Sequence, residues 1–329
     1  MHIDRSSYIF TDSKEREIIA HVQSTNGSQQ GQLSLSFPSG WEIEPKSIPF
    51  KLKDSGDKSS YTFRVKPLSG AQNGPALLKA DVGSLQYSNE IIEIDYDHIP
   101  YQTLLQPAQT HLVNLDITLK PGLIGYIMGS GDEIPASLSQ LGYRVDLLSD
   151  QDLDDKDLNG YDAIICGVRA FNTRPQLQRQ QERLIDYVEQ GGTWIVQHNT
   201  RFGTQVKQIG PYPFNTSGRD RISEEDAPIT ILMPDHIIFN YPNKITEKDF
   251  NGWVQERGLY FAQSWEGKLY PLLSGNDSNE PAKLGGLLYT RYGKGVFIFT
   301  AYSWFRQLPA GVPGAYRLFI NLISARGQG

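Results

Sequence analysis

The stretch that decides the fold runs from Tyr161 to Phe202 and reads YDAIICGVRAFNTRPQLQRQQERLIDYVEQGGTWIVQHNTRF. It contains two short apolar runs, Ala163 to Cys166 and Thr193 to Val196. The segment between them carries apolar residues at helical spacing, namely Leu177, Leu184, Ile185 and Val188. The pattern predicts a strand, a helix that ends at Gly191 and Gly192, and a second strand. Two strands joined by a helix are expected to lie parallel.

This arrangement also predicts where a ligand would bind. In open parallel sheets the crevice lies beyond the carboxyl ends of the strands, which places Gly167 to Asn172 beside His198 to Arg201. Polar residues from the later part of the chain, including Tyr260 and Arg306, are expected to join them. The predicted ligand-binding residues are Arg169, Asn172, His198, Asn199, Arg201, Glu256, Arg257 and Tyr302. Such side chains bind sugars or carboxylates, or they form an internal polar network that holds the loops, and the sequence leaves both open.

The chain of 329 residues is long for one core, and its pattern changes part-way. Five short runs alternate apolar and polar residues before residue 97, which predicts a β-sandwich: EIIAHVQS, QLSLSF, SYTFRV, ALLKADV and EIIEIDY. A proline-containing connector follows, in which LVNLDITL could form a strand of either domain. From Leu123 strands and helices alternate, which predicts a doubly wound α/β domain. The predicted domains are residues 1–118 and 119–329.

Two features are expected in the later part of the α/β domain. Gly203 to Asp226 has an irregular sequence, which fits a flap over the strand ends or a simple insertion. YTRYGKGVFIF predicts a hairpin that turns at Gly293 to Gly295, before a final helix in AYRLFINLISA.

Composition excludes several classes of function. The net charge is -6 and no run of Lys and Arg occurs, so a general nucleic-acid binder is not expected. No apolar stretch is long enough to span a membrane. The N-terminus MHIDRSSYIF lacks the features of a signal peptide, which fits a cytoplasmic protein or a fragment of an exported one, so the location stays open.

Motifs for catalysis or cofactor binding are weak, and we expect no catalytic residue, cofactor or metal. The turn Gly129 to Glu133 lies where a nucleotide-binding loop would, but it lacks the third glycine, and Asp132 and Glu133 fit helix capping better. Cys166 is expected to be a buried structural thiol. No two of the six histidines are spaced for helical metal ligation, although His198 could converge with Asp235 and His236.

Two resemblances extend these expectations. LSFPSGWEIEPKSIPFK, followed by YTFRVKP, resembles the immunoglobulin-like domain found beside carbohydrate-active catalytic domains, called the α-galactosidase-associated or NPCBM-associated domain. Leu123 to Ala325 resembles the ThuA-like type of the class I glutamine amidotransferase fold, with His198 in the turn where amidotransferases carry their nucleophilic cysteine. The implied fold is an immunoglobulin-like β-sandwich followed by a flavodoxin-like doubly wound domain of glutamine amidotransferase type.

The stretch from Tyr161 to Thr200 also resembles the segment that follows the zinc de-N-acetylase domain in large bacterial PIG-L (LmbE-like) proteins. Those proteins have a sandwich and this α/β domain in the same order, but the deacetylase motif His-Pro-Asp-Asp is absent here. The resemblance implies a non-catalytic accessory region of an exported carbohydrate de-N-acetylase. Its partners would be a glycan or amino sugar, or the catalytic domain of the same parent protein. The alternatives are a stand-alone ThuA-like sugar-active enzyme using His198 and Glu256, and a purely structural role.

Overall fold

The computed structural model describes residues 1–200 and 208–326. The chain divides into two compact units, Met1–Asp116 and Ile117–Gly329, two residues before the predicted boundary. Strands dominate the first unit, and the second contains both strands and helices, so the protein is a β-rich α/β protein. Arg201 and residues 203–207 of the predicted flap lie outside the described residues.

The first unit consists of strands joined by turns. Its twelve strands are β1 (His2–Ile3), β2 (Ser7–Phe10), β3 (Arg16–Gln23), β4 (Gln29–Ser36), β5 (Trp41–Glu44), β6 (Ser47–Leu52), β7 (Lys58–Pro67), β8 (Gly74–Val82), β9 (Leu85–Tyr87), β10 (Asn89–Ile94), β11 (Gln102–Pro107) and β12 (Gln109–Asn114). One sheet has the order β1-β3-β7-β5, and the other has the order β2-β12-β8-β4-β6 with β9 paired to β8. LVNLDITL therefore contributes β12 to the first unit.

The two sheets of the first unit share one apolar core. In β3 every second residue is buried, including Ile18 and Ala20, because alternate side chains of a strand point to opposite faces. Trp41 enters this core from the Pro-x-Gly-Trp turn, where its indole N–H donates to the carbonyl of Gln72 at 2.8 Å. Gly40 precedes it with φ of 83°, and a Cβ there would lie 2.6 Å from the Cα of Ala71, so the turn requires glycine.

The run EIIEIDY was expected to be a strand of the sandwich, and this prediction was wrong. Its residues lie in β10, which pairs only with β11 among the described residues, as a separate two-stranded sheet. All six residues of β11 are exposed. Leu104 and Leu105 therefore lie at the surface, although they oppose Ile92 and Ile91 across the hairpin.

The second unit contains the predicted parallel sheet. Its longer strands are β13 (Leu123–Ile127), β14 (Arg144–Leu147), β15 (Ala163–Cys166), β16 (Thr193–Gln197), β24 (Leu287–Tyr292) and β25 (Gly295–Thr300). The shorter ones are β17 (Phe214–Thr216), β18 (Arg221–Ile222), β19 (Ile229–Ile231), β20 (Gly258–Leu259), β21 (Ala262–Trp265), β22 (Tyr270–Pro271) and β23 (Leu273–Gly275). The main sheet has the order β14-β13-β15-β16-β25-β24-β22, in which the first five strands are parallel.

Helices connect the strands of this sheet. They are α1 (Ile134–Gln140), α2 (Asp150–Asp155), α3 (Ala170–Thr173), α4 (Leu177–Glu189), α5 (Trp304–Gln307) and α6 (Pro313–Ile323), and single 3-10 turns lie at Leu158–Gly160, Ile237–Phe239 and Glu247–Phe250. Helix α4 joins β15 to β16 and buries Leu177, Leu184 and Val188, so the predicted strand, helix and strand are confirmed. None of the helices in the described ranges has both the length and the apolar character needed to cross a membrane.

The predicted hairpin is also confirmed, since β24 and β25 pair antiparallel around Gly293 and Lys294. The described part of the irregular region, residues 208–226, contains β17 and β18. These strands pair with β21 and β20, so at least this part of the region is tied to later segments of the chain.

Candidate functional site

The loops that follow β15 and β16 lie side by side at the carboxyl end of the parallel sheet. The backbone N–H of Arg169 donates to the carbonyl of His198 at 2.9 Å. The side-chain amide of Asn172 accepts from the N–H of Thr200 at 2.9 Å and donates to its carbonyl at 3.2 Å. These contacts hold the two predicted loops together.

Asn199 has a structural role in this arrangement. It is fully buried, its side-chain oxygen accepts from the N–H of Phe171 at 2.9 Å, and its side-chain nitrogen donates to the carbonyl of Gln197 at 2.9 Å. Both amide atoms therefore satisfy backbone groups, and a ligand would have to displace one of these bonds. Asn172 and Asn199 therefore stabilise the loops of the predicted site, and their side-chain amides are already bonded to backbone groups.

His198 lies at the centre of this group of residues. Only 2% of it is exposed, and its ring lies 5.7 Å from the ring of Tyr260 and 5.6 Å from that of Phe305, measured between centroids. Burial, together with the positive charges of Arg169 and Arg306, lowers the pKa of His198 to about 4. The imidazole is therefore neutral near pH 7. Its Nδ1 is enclosed and has no hydrogen-bond partner among the described residues.

Arg306 belongs to a small polar cluster beside His198. Its Nε lies 3.0 Å from the carboxylate of Glu256 in a half-buried ion pair, and another of its nitrogens donates to the side chain of Gln255. The guanidinium also lies 4.9 Å from the ring centre of Phe305, within the range of a cation–π contact. Glu256 therefore neutralises Arg306, and within the described ranges it forms no hydrogen bond or ion pair with His198.

Backbone strain is concentrated around the same residues. Four residues other than glycine have positive φ in the described chain: Arg169, Gln255, Tyr260 and Asn279. Three of them contact the His198 cluster, since Arg169 bonds to the His198 carbonyl, Tyr260 faces its ring and Gln255 binds Arg306. Left-handed backbone at such residues costs free energy and is found preferentially at functional sites. We use the name His198 site for Arg169, His198, Tyr260, Phe305 and Arg306.

Two predicted ligand-binding residues lie in the interior instead. Arg257 is 3% exposed, and its guanidinium donates to the carbonyls of Ala227 and Phe250. Tyr302 is fully buried against Trp253, Phe261 and Trp304. Burial lowers the pKa of Arg257 and raises that of Tyr302. Neither is available to a ligand, because each is enclosed by the packing of the residues around it.

The alternatives involving metal or thiol chemistry find little support in the geometry. The ring of His236 lies 4.3 Å from that of Tyr289, measured between centroids, and its Nδ1 accepts from the N–H of Ile238. Neither contact involves His198. The described ranges contain no group of three His, Cys, Asp or Glu that could hold a metal ion. Cys166 is fully buried, burial raises its pKa to about 12, and the indole of Trp194 donates to its sulfur at 3.3 Å.

Sequence reasoning missed a polar network below the loops. The hydroxyl of Tyr126 binds both carboxylate oxygens of Asp132 at 2.7 Å and accepts from the side chain of Gln197 at 3.1 Å. Asp132 also accepts from the N–H of Ile134, and burial raises its pKa. Glu133 is the N-cap residue of α1, but its side chain makes no capping hydrogen bond, so the predicted capping role of Glu133 is wrong. The signal available in the sequence was the acidic pair after Gly131, but nothing in it indicated a tyrosine partner.

No protein-family model and no curated protein matches this sequence. The β-galactosidase of Rahnella sp. R3 is 15% identical over 60% of this chain and 31% of its own, with a TM-score of 0.38. The β-galactosidase of Bacillus circulans sp. alkalophilus is 14% identical over 62% of this chain and 31% of its own, with a TM-score of 0.36.

The periplasmic chaperone SfaE is 10% identical over 36% of this chain and 60% of its own, with a TM-score of 0.21. The chain spans less than a third of the two β-galactosidases that it matches. Likenesses of this size assign neither a fold nor a function to the protein.

Proposed function

We propose that this chain is a non-catalytic accessory region of a carbohydrate de-N-acetylase of the PIG-L type, and that it binds a sugar at the His198 site. In this proposal the first unit is an immunoglobulin-like sandwich and the second is a flavodoxin-like domain of glutamine amidotransferase type. The parent protein would be exported, and the glycan would be an amino sugar or a polymer that contains one.

One observation carries the proposal of sugar binding: a neutral, buried imidazole lies near two aromatic rings and two arginines. Aromatic rings such as Tyr260 and Phe305 offer apolar faces to a sugar, while guanidinium and imidazole groups supply hydrogen bonds to its oxygens. Arg169 and Tyr260 both have left-handed backbone, a conformation found preferentially at functional sites.

The same geometry favours binding over catalysis. A histidine with a pKa of about 4 is a poor proton donor near neutral pH, since almost none of it is protonated. The ThuA-like alternative requires Glu256 to act together with His198, but the carboxylate of Glu256 is paired with Arg306. The cysteine nucleophile of the amidotransferases is replaced by His198 itself.

Sugar titration followed by ligand-observed NMR tests this function. We expect N-acetylglucosamine or glucosamine to bind the wild-type chain and to bind the His198→Gln and Phe305→Ala variants at least about tenfold more weakly, a loss of about 1.4 kcal/mol. His236→Gln is the matched control, because His236 is a partly buried histidine of the same unit with a different aromatic neighbour. If neither sugar binds the folded wild-type chain, the proposed function is wrong.

A second observation favours contact with a protein partner, such as the parent's catalytic domain. The hairpin β10–β11 exposes Ile91, Leu104 and Leu105, and a two-stranded sheet is only marginally stable in water by itself. Exposed apolar side chains grouped in this way are typical of interaction surfaces. If the hairpin packs on a partner, Leu105→Asp should abolish co-purification with the separately expressed catalytic domain of the parent, while sugar binding should remain unchanged.

A further inference from the structure

We infer that the sugar bound at the His198 site carries an anionic group, a carboxylate or a sulfate, and that Arg169 is its principal partner. This inference rests on the proposed function and narrows its ligand from sugars in general to acidic sugars. It is carried by the distribution of charge around His198 and by the way in which the backbone of Arg169 is held.

The charges at the site do not cancel. Arg306 is paired with Glu256, whereas no ion pair to Arg169 is found within residues 1–200 and 208–326. His198 adds no charge near pH 7, because burial keeps its imidazole neutral. Among the described residues of the site one positive charge is therefore left in excess, and Arg169 lies close enough to His198 for that charge to lower the pKa of the ring. An anionic group on the ligand would complete the pairing.

Asp132, which accepts from the N–H of the neighbouring Val168, does not supply this pairing. Its carboxylate accepts hydrogen bonds from the hydroxyl of Tyr126 and from the N–H groups of Ile134 and Val168. Burial raises its pKa, so the surroundings disfavour the negatively charged form of Asp132. Asp132 thus stabilises the loop beneath Arg169 and leaves the guanidinium available.

The backbone of Arg169 is fixed in a way that an ordinary surface arginine does not need. Its φ is 59°, and its N–H bonds to the carbonyl of His198. It also precedes helix α3, and its own carbonyl accepts from the N–H groups of Asn172 and Thr173. Because the backbone of Arg169 is already fixed, less conformational entropy is lost when its side chain becomes ordered on a ligand. Arginine in such a position is suited to the bidentate recognition of carboxylate or sulfate.

The recognition would divide between two kinds of contact. The rings of Tyr260 and Phe305 would pack on the sugar, and Arg169 would bind the acidic substituent. Neutral sugars would then lack the charge-assisted contact between the acidic substituent and Arg169. Arg169 would therefore determine the difference in affinity between acidic and neutral sugars, whereas the aromatic residues would contribute to the affinity for both.

Calorimetric titration with three sugars tests the inference: glucuronic acid, N-acetylglucosamine 6-sulfate and N-acetylglucosamine. For the wild-type chain we expect at least one of the acidic sugars to bind about tenfold or more tightly than the neutral one at low salt. Raising the ionic strength from about 0.01 M to 1 M should reduce this advantage, since the Debye length falls from about 30 Å to 3 Å. Which acidic sugar binds more tightly distinguishes a carboxylate ligand from a sulfate ligand.

Arg169→Gln should remove the preference by weakening the binding of the acidic sugars more than that of N-acetylglucosamine, whereas Arg169→Lys should retain part of the preference. Both variants keep a residue other than glycine at φ of 59°, so the backbone strain is matched. Arg144→Gln is the control, because Arg144 is an exposed arginine at the opposite end of the sheet, at the start of β14. Its titrations should equal those of the wild type.

The titrations distinguish failure of this inference from failure of the proposed function. Equal affinity of the wild-type chain for all three sugars would overturn the inference and leave the proposed function standing. Binding of acetate and inorganic sulfate as tight as that of the acidic sugars would overturn the sugar part of the inference. Absence of binding by all three sugars to the folded chain would overturn the inference and the proposed function together.

Discussion

Arg257 allows the sharpest test of how the structure divides site residues from scaffold residues. Its sequence position suggests a ligand-binding arginine, but the guanidinium is buried and donates to the carbonyl of Ala227 through two nitrogens at 3.1 Å and 2.8 Å. A further nitrogen donates to the carbonyl of Phe250, and the group lies 5.7 Å from the ring centre of Trp253. Replacement by methionine keeps the apolar stem and removes every donor.

The expected cost follows from the two carbonyls that lose their donor. A buried acceptor left without a partner costs about 1 to 3 kcal/mol, so two cost about 2 to 6 kcal/mol. The substitution also removes a buried charge, whose desolvation already lowers the pKa of Arg257, and this offsets part of the loss. We therefore expect the free energy of unfolding of the second unit to fall by about 3 kcal/mol. For a unit of this size that corresponds to a fall in Tm of about 6 to 12 °C.

Urea denaturation followed by tryptophan fluorescence measures this loss, because Trp194, Trp253, Trp265 and Trp304 all lie in the second unit. Arg221→Met is the control, since Arg221 is exposed on the neighbouring strand β18 and should change the free energy by no more than about 0.5 kcal/mol. A loss below about 1 kcal/mol for Arg257→Met, together with weakened sugar binding, would refute the assignment of Arg257 to the scaffold.

Two further predictions concern buried polar groups. The folded-state pKa of His198 is lowered to about 4 from 6.5, so the stability that its neutral form provides is present above pH 6.5 and is lost as the pH falls toward 4. His198→Gln should therefore flatten the pH dependence of the unfolding free energy over this window by up to about 3 kcal/mol, and an unchanged slope would contradict the buried, neutral ring. Asn321→Leu should destabilise the second unit by about 3 kcal/mol or more, because the side chain of Asn321 donates to the carbonyls of Ile238 and Asn243 at 2.7 Å and accepts from the N–H of Asn243 at 3.0 Å. Thermal denaturation checks it, and a Tm within about 2 °C of the wild type would show that these bonds contribute little.

Local patterns in the sequence were sufficient for the core of the second unit. The apolar residues of α4 repeat with the helical period, and the runs at β15 and β16 are buried throughout, so each element could be recognised within its own few residues. The place of the site followed from the parallel order of these strands. The alternation in EIIEIDY was equally clear, but alternation does not say which strand is the partner, and here the partner is β11.

The roles of individual polar residues could not be read in this way. Asn199 and Arg257 have the chemistry of ligand-binding residues, yet their partners are backbone groups 28 and 30 positions away in the chain. Phe305, which faces His198, stands in an apolar segment and carries no polar signal. The positive φ of Gln255 is imposed by its surroundings, since glutamine has no preference for that conformation.

The most direct test of the central claim is an NMR spectrum of the chain with isotope-labelled histidine, recorded while a sugar is added. The protein has six histidines, so the other five, namely His2, His21, His98, His111 and His236, serve as internal controls in the same sample. If the sugar binds at the His198 site, we expect glucuronic acid or an N-acetylglucosamine derivative to shift the ring signals of His198 and to leave the chemical shifts of the other five histidines unchanged. Unchanged His198 signals at saturating sugar, or shifts confined to another histidine, would contradict it.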